Sequence, residues 1–137
     1  MTALLDPTIV LAAADRSDLN HQAAAAWFRR VTEPLALTAL ALAECDHLLS
    51  RTLGRQAAEA LLEAIETGTV TLLSPTREDL SRARALRAEA SDARISLSDA
   101  VGVAMAMRLG VRRIGTFDRR PYSILRSLAK AGFDLEP

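Results

Sequence analysis

Four acidic residues fall where they could work together: Asp6, Glu44, Asp99 and Asp118. Asp6 directly follows the apolar stretch "TALL" (2–5), and Asp118 directly follows "RRIGTF" (112–117). Asp99 opens the small and apolar run 100–107, and Glu44 sits early in "ALAECDHLLSRT" (41–52). Carboxylates brought together repel one another, which raises their pKa values until some protonate. A divalent ion removes that cost, and oxygen-only ligands select Mg²⁺ or Mn²⁺, which bind through a few carboxylates and keep several waters. Such ions activate water and neutralise an in-line phosphoryl transition state. The spacing therefore points to metal-assisted hydrolysis of a phosphodiester or phosphate.

Each acid also has a structural alternative. Asp6 before Pro7 suits a helix N-cap. Asp99 fits an [ST]-x-x-[DE] capping pattern with Ser96, and Asp118 could cap a helix that begins near Pro121. Glu44 is different. At about 100° per residue it falls inside an apolar arc shared with Leu40, Ala41, Cys45, Leu48 and Leu49, where an unpaired charge is costly. Either Arg51, a solvent-exposed edge of the arc, or a shared cation must compensate it.

The elements that must position these acids alternate along the chain. Strands are expected at 2–5, 34–39, 70–73 and 112–117, with a short fifth at 133–135. Helices are expected from Pro7, over 19–31, 41–52, 55–66, 77–90 and 99–109 (capped by Ser96 or Ser98), and from Pro121. Gly110 suits the end of the 99–109 helix. Strands separated by helices imply an α/β fold: a three-layer α/β/α sandwich on a mainly parallel sheet of four to five strands. Ligands collect at the carboxyl ends of such strands. Asp6 and Asp118 lie there directly. The 99–109 helix enters the last long strand through a short turn, so its start, with Asp99, lies on the same rim. Helix 41–52 leaves the second strand there, carrying Glu44.

The bulk numbers agree with one compact core. The chain has 137 residues, half of them apolar and a quarter charged, with no net charge. No global basic signature marks a nucleic-acid binder, so such binding must rest on a local patch. Cys45 is the only cysteine, so no intrachain disulfide forms, and a cytoplasmic, reducing location is expected. No apolar run approaches a membrane span, and the first residues do not read as a signal peptide.

The motifs resemble those of PIN-domain ribonuclease toxins of the VapC family, from VapBC-type toxin–antitoxin pairs. "LLDPTIVLAAAD" (4–15) resembles the family's strand, Asp and Ser/Thr two residues on. "ALAECDHLLSR" (41–51) resembles the segment bearing its Glu, and "ISLSDAVGVAMAMRLGVRRIGTFDRRPYSIL" (95–125) its Leu-x-Asp-Ala, apolar helix, strand and Thr-x-Asp-Arg-Arg. The resemblance implies a single PIN domain over 1–137. It makes Asp6, Glu44, Asp99 and Asp118 the acids that bind Mg²⁺ or Mn²⁺ and cleave RNA, with tRNA or rRNA as possible targets. Thr8 and Thr116 match its supporting hydroxyls. Pro7 stands where Thr or Ser is common and removes a backbone donor. The family typically forms homodimers and is inhibited by a VapB-type antitoxin that covers the active-site groove.

Other residues are weighed on the same frame. Arg119 and Arg120 are expected at the metal rim, able to grip RNA phosphates, whereas Arg112 and Arg113 are expected to be solvated. Asp92 is a fifth acid that could approach the rim through the 92–97 loop. His47 reads as a surface or half-buried structural residue, Cys45 as core, and Trp27 and Phe28 as core or interface anchors. Two rival readings remain. One is a non-catalytic PIN-like module that binds an antitoxin or acts as a scaffold. The other is a phospho-receiver or aspartyl-phosphate phosphatase, although Thr8 stands where the phosphatase needs a second Asp.

Overall fold

The computed structural model describes residues 2–137. Five parallel strands form one sheet: β1 (Ala3–Leu5), β2 (Leu35–Thr38), β3 (Val70–Leu73), β4 (Arg113–Gly115) and β5 (Asp134–Glu136), in the order β3-β2-β1-β4-β5. The expected α/β architecture is therefore present, and the fifth strand is real. The order 3-2-1-4-5 differs from the 2-1-3-4-5 of receiver domains, which removes that reading.

Side chains along the strands alternate between two cores. Leu4, Ala36, Ile114 and Leu135 face one way and pack with α5 (Arg77–Glu89), α6 (Leu97–Leu109) and α7 (Arg119–Ala129). Ala3, Leu5, Leu37 and Val70 face the other way, onto α1 (Pro7–Ala14), α2 (His21–Arg30), α3 (Ala39–Thr52) and α4 (Arg55–Glu66). The period-two alternation of a strand thus yields the three layers. Helix α6 is buried continuously from Ala100 to Ala106, as a helix apolar on all sides must be. Gly110 ends it at φ +67, a region that glycine enters without steric cost.

Several boundaries shift from the expectation, two of them through side-chain capping. Thr38 ends β2 and also caps α3 by accepting from the Ala41 amide, so α3 starts at Ala39. Ser96, not Ser98, caps α6, which starts at Leu97 and places Asp99 at its third position. Helix α7 starts at Arg119, two residues before Pro121. Among the described residues, no helix is long and apolar enough to cross a membrane.

Arg112 and Arg113 are exposed as expected, but Arg113 is also ion-paired. The Arg113 guanidinium bridges Glu33, at 2.6 Å, and Glu136. Trp27 is fully buried in the core and donates from its indole to Glu136 at 2.8 Å.

Candidate active site

The sheet order reverses between β1 and β4. Beside β1 the chain runs outward to β2 and β3, and beside β4 to β5. Crevices at such switch points, beyond the carboxyl ends of the strands, are where open α/β sheets bind ligands. Asp6 leaves β1 there, and Thr116 and Asp118 leave β4 there. A cavity of about 310 Å³ opens at this point, and Asp6, Glu44, Asp99 and Asp118 all line it.

Asp6 is the floor. It is 4% exposed and accepts four hydrogen bonds. Oδ2 accepts from the Thr8 amide (3.0 Å), the Thr8 hydroxyl and the Thr116 hydroxyl (3.0 Å). Oδ1 accepts from the Tyr122 hydroxyl at 2.7 Å. Each threonine spends its proton on Asp6 and uses a lone pair to accept from the β4 exit: Thr8 from the Phe117 amide (2.9 Å) and Thr116 from the Asp118 amide (2.9 Å). The carboxylate therefore orders the backbone that carries Asp118. Pro7 does not deplete this network. It occupies the first helical position of α1, where an N–H has no helical partner, and the Thr8 amide supplies the bond that caps the helix. The expected loss of a donor beside the site is thus immaterial.

The capping roles proposed for the other acids mostly fail. The Asp118 side chain makes no capping bond to α7. In α6 the Ser96 hydroxyl accepts from the Asp99 amide, but the Asp99 carboxylate does not complete the box. Asp79 of α5 makes the useful contrast. It stands three residues after Thr76, completes its capping box, and receives a two-pronged bond from Arg108 at 2.8 Å on each oxygen. The Arg108 bonds hold its carboxyl down at about 2. Asp99 occupies the equivalent helix position without such a partner. Burial, then the charge of Asp6, pushes its carboxyl up to about 6. One N3 aspartate is structural and the other faces a cavity.

Glu44 realises one of its expected alternatives, the solvent-exposed edge of the apolar arc, where α3 opens onto the cavity mouth. Partial desolvation, then the charges of Asp6 and Asp118, still raises its carboxyl. Its neighbour Cys45 is fully buried as expected. Burial and the nearby acids push that thiol up to about 12, so it stays protonated and inert.

Two expected participants lie elsewhere. Asp92 is exposed on a 3₁₀ turn (Ser91–Ala93) and does not line the cavity. Arg119 turns away, donating to the carbonyls of Leu135 (3.2 Å) and Pro137 (3.3 Å). His47 is a surface residue off the cavity, as expected. Arg120 does line it. Sequence reasoning missed Tyr122 and Arg94, the latter also on the cavity wall. Tyr122 had a signal: it is the only tyrosine, one helical turn after Asp118.

No carboxylate in the cavity is paired with a cation within salt-bridge distance. The donor set is carboxylate and hydroxyl oxygen only, and its acids repel. That chemistry suits a hard, hydrated dication. Among the described residues no three His, Cys, Asp or Glu side chains lie close enough to enclose an ion directly, so the fit is one of donor chemistry, with water completing the contacts.

Comparison with known proteins agrees with this architecture. The family model for the PIN domain matches residues 3–127. Ribonuclease VapC26 of Mycobacterium tuberculosis is 28% identical over 134 residues, spanning 98% of this chain and 99% of that protein. The crystal structure of M. tuberculosis VapC20, a sarcin-ricin loop cleaving toxin, superposes with a TM-score of 0.84 at 19% identity, over 98% of this chain and 99% of that one. VapBC2 from Rickettsia felis, bound to a DNA fragment from its promoter, gives a TM-score of 0.71 at 15% identity, over 99% and 98% of the two chains.

Proposed function

Because this chain belongs to the PIN domain family, we propose that it is a VapC-type toxin: an endoribonuclease that uses Mg²⁺ or Mn²⁺ and is neutralised by a VapB-type antitoxin. The observation that carries this reading is the gathering of Asp6, Glu44, Asp99 and Asp118 at one cavity with no cation paired to any of them. The similarity to Ribonuclease VapC26 supports the reaction class. The likeness to toxin–antitoxin complexes supports the kind of partner.

In this reading Asp6, Asp99 and Asp118 hold the ion, and Glu44, on the open side, binds it or orients the attacking water. When bound, the dication lowers the pKa of water and offsets charge on the phosphoryl oxygens. The protein's own work is orientation. Thr8, Thr116 and Tyr122 fix Asp6, with Oδ1 accepting one hydrogen bond and Oδ2 three. Burial and the charge of Asp6 leave the Asp99 carboxylate uncompensated, a cost that a bound cation would offset.

The test is cleavage of single-stranded RNA with Mn²⁺, with Mg²⁺ and with chelator, beside calorimetric titration of each metal. Metal-dependent cleavage supports the proposal. A second reading, a non-catalytic PIN module, draws on the four hydrogen bonds that already occupy Asp6. Absence of both metal binding and RNA loss selects it instead.

Tyr122→Phe separates orientation from packing. The ring is 4% exposed and retains its place, while Asp6 Oδ1 loses its donor. Cleavage and Mn²⁺ affinity are each expected to fall by about 10- to 100-fold, as for other groups that orient metal ligands. The stability loss is only about 1 kcal/mol. Unchanged Mn²⁺ affinity would show that the hydroxyl serves the fold alone.

A further inference from the structure

The acidic cavity has a basic wall. Among the described residues, Arg94 and Arg120 are its only cationic lining residues, and neither pairs with a carboxylate. Arg120 donates from Nη1 to the Ala93 carbonyl at 3.2 Å, leaving its other N–H groups free. Arg94 has φ 55 and ψ 53, a left-handed backbone that an arginine adopts only against steric resistance. The carbonyls on both sides of it are held by arginines from two different helices. Arg120 of α7 holds Ala93, and Arg87 of α5 holds Ile95 at 3.1 Å. Pinning of this kind is what keeps a residue in an unfavourable conformation. Arg94 therefore has a fixed origin at the cavity mouth.

We propose that Arg94 and Arg120 together bind a backbone phosphate of single-stranded RNA adjacent to the phosphate at the acidic floor. This rests on the nuclease reading above and names how its substrate is gripped. Four carboxylates remain net negative with one dication bound, so an RNA strand approaches against repulsion unless cations stand nearby. Guanidinium forks match phosphate oxygens in geometry and charge. A cavity of about 310 Å³ is at the small end for ligand sites. It admits about one nucleotide-sized unit, so the neighbouring phosphate falls on the rim. The recessed position of Asp6 favours an unpaired strand, whose backbone can bend inward. The remaining arginines of the region are otherwise engaged: Arg119 at the chain end, and Arg126 on the Phe133 carbonyl at 3.3 Å.

The test uses Arg94→Gly, because glycine accepts φ 55 without strain and removes only the guanidinium arm. Binding of a short single-stranded RNA is measured by fluorescence anisotropy across a salt series in an Asp99→Asn background, which prevents turnover. Cleavage by the unmodified chain with Mn²⁺ is followed in parallel. Arg94→Gly is expected to weaken binding about tenfold and to lower the slope of log K against log salt by about 0.7, the value for one phosphate contact on a single strand. Its melting temperature stays level or rises, and Arg94→Lys retains the slope. If Arg94→Gly binds with unchanged affinity and slope while the unmodified chain cleaves RNA, this inference alone fails. If the unmodified chain does not cleave, the nuclease reading fails and this inference with it.

Discussion

Asp99→Asn is expected to lower metal-dependent RNA cleavage by at least about a hundredfold, since even groups behind metal ligands cost that much, and to raise the melting temperature at neutral pH. The two effects share a cause. Asp99 has a carboxyl raised from 3.8 to about 6, first by burial and then by Asp6. The folded state therefore holds its proton more tightly than the unfolded chain does. The resulting stabilisation is complete below pH 3.8 and is lost as the pH climbs through about 6. Above that, the ionised side chain costs the metal-free fold about 2 kcal/mol, after allowance for its partial exposure to solvent. Asparagine carries no such cost. In chelator, the melting temperatures of the two proteins should converge in acid, separate as the pH rises from 3.8 towards about 6, and stay apart above it. Saturating Mn²⁺ should raise only that of the unmodified chain. Unchanged cleavage would refute the assignment of Asp99, and a gap in melting temperature that ignores pH would refute its electrostatic origin. A residue that weakens the fold in order to serve a site is a familiar trade.

Trp27→Ala is expected to cost about 3–5 kcal/mol, a large part of the total stability of a domain. The indole is fully buried and reaches across to Glu136 on β5. Its ring edge also lies over Gly115. A Cβ at position 115 would stand 2.8 Å from Trp27 Cη2 and 3.0 Å from Ile9 Cδ1, closer than packed atoms tolerate. Gly115→Ala alone should therefore cost about 1–3 kcal/mol. It should also impair cleavage, because the Gly115 carbonyl receives the Asp6 amide at 3.0 Å and Thr116 follows directly. In the Trp27→Ala background the obstruction at 115 is largely gone, so the second substitution costs much less. Chemical denaturation of the two single variants and the double variant measures this coupling. Strict additivity would mean that the tryptophan does not set the space available to β4.

Local pattern made the frame legible. Strands read from short apolar runs, Pro7 and Gly110 marked helix ends, and alternation of elements implied a parallel sheet. The rim then followed from connectivity alone, which is why Asp6, Asp99 and Asp118 could be placed together. Long-range side-chain partners were not legible. Asp79 and Asp99 carry the same capping pattern, and only Arg108, 29 residues from Asp79, sets them apart. Tyr122 meets Asp6 across 116 residues. Helical periodicity put Glu44 in an apolar arc but could not show that the arc opens onto a cavity. The left-handed step at Arg94 turns the 92–97 loop so that Arg94, not Asp92, reaches the site, and an arginine gives no local cue for that backbone. Arg119 was misjudged because its acceptors are carbonyls of the last residues of the chain.

The order of the sheet also governs timing during synthesis. The central strand is made first, yet its neighbour β4 is the fourth of the five to be made, and two of the four bonds that fix Asp6 come from residues 110 and 116 positions later. A nascent chain still lacking those residues holds its first acid through Thr8 alone. Since domains fold as units once their sequence has emerged, the acidic centre comes together only after β4 and α7 have been made.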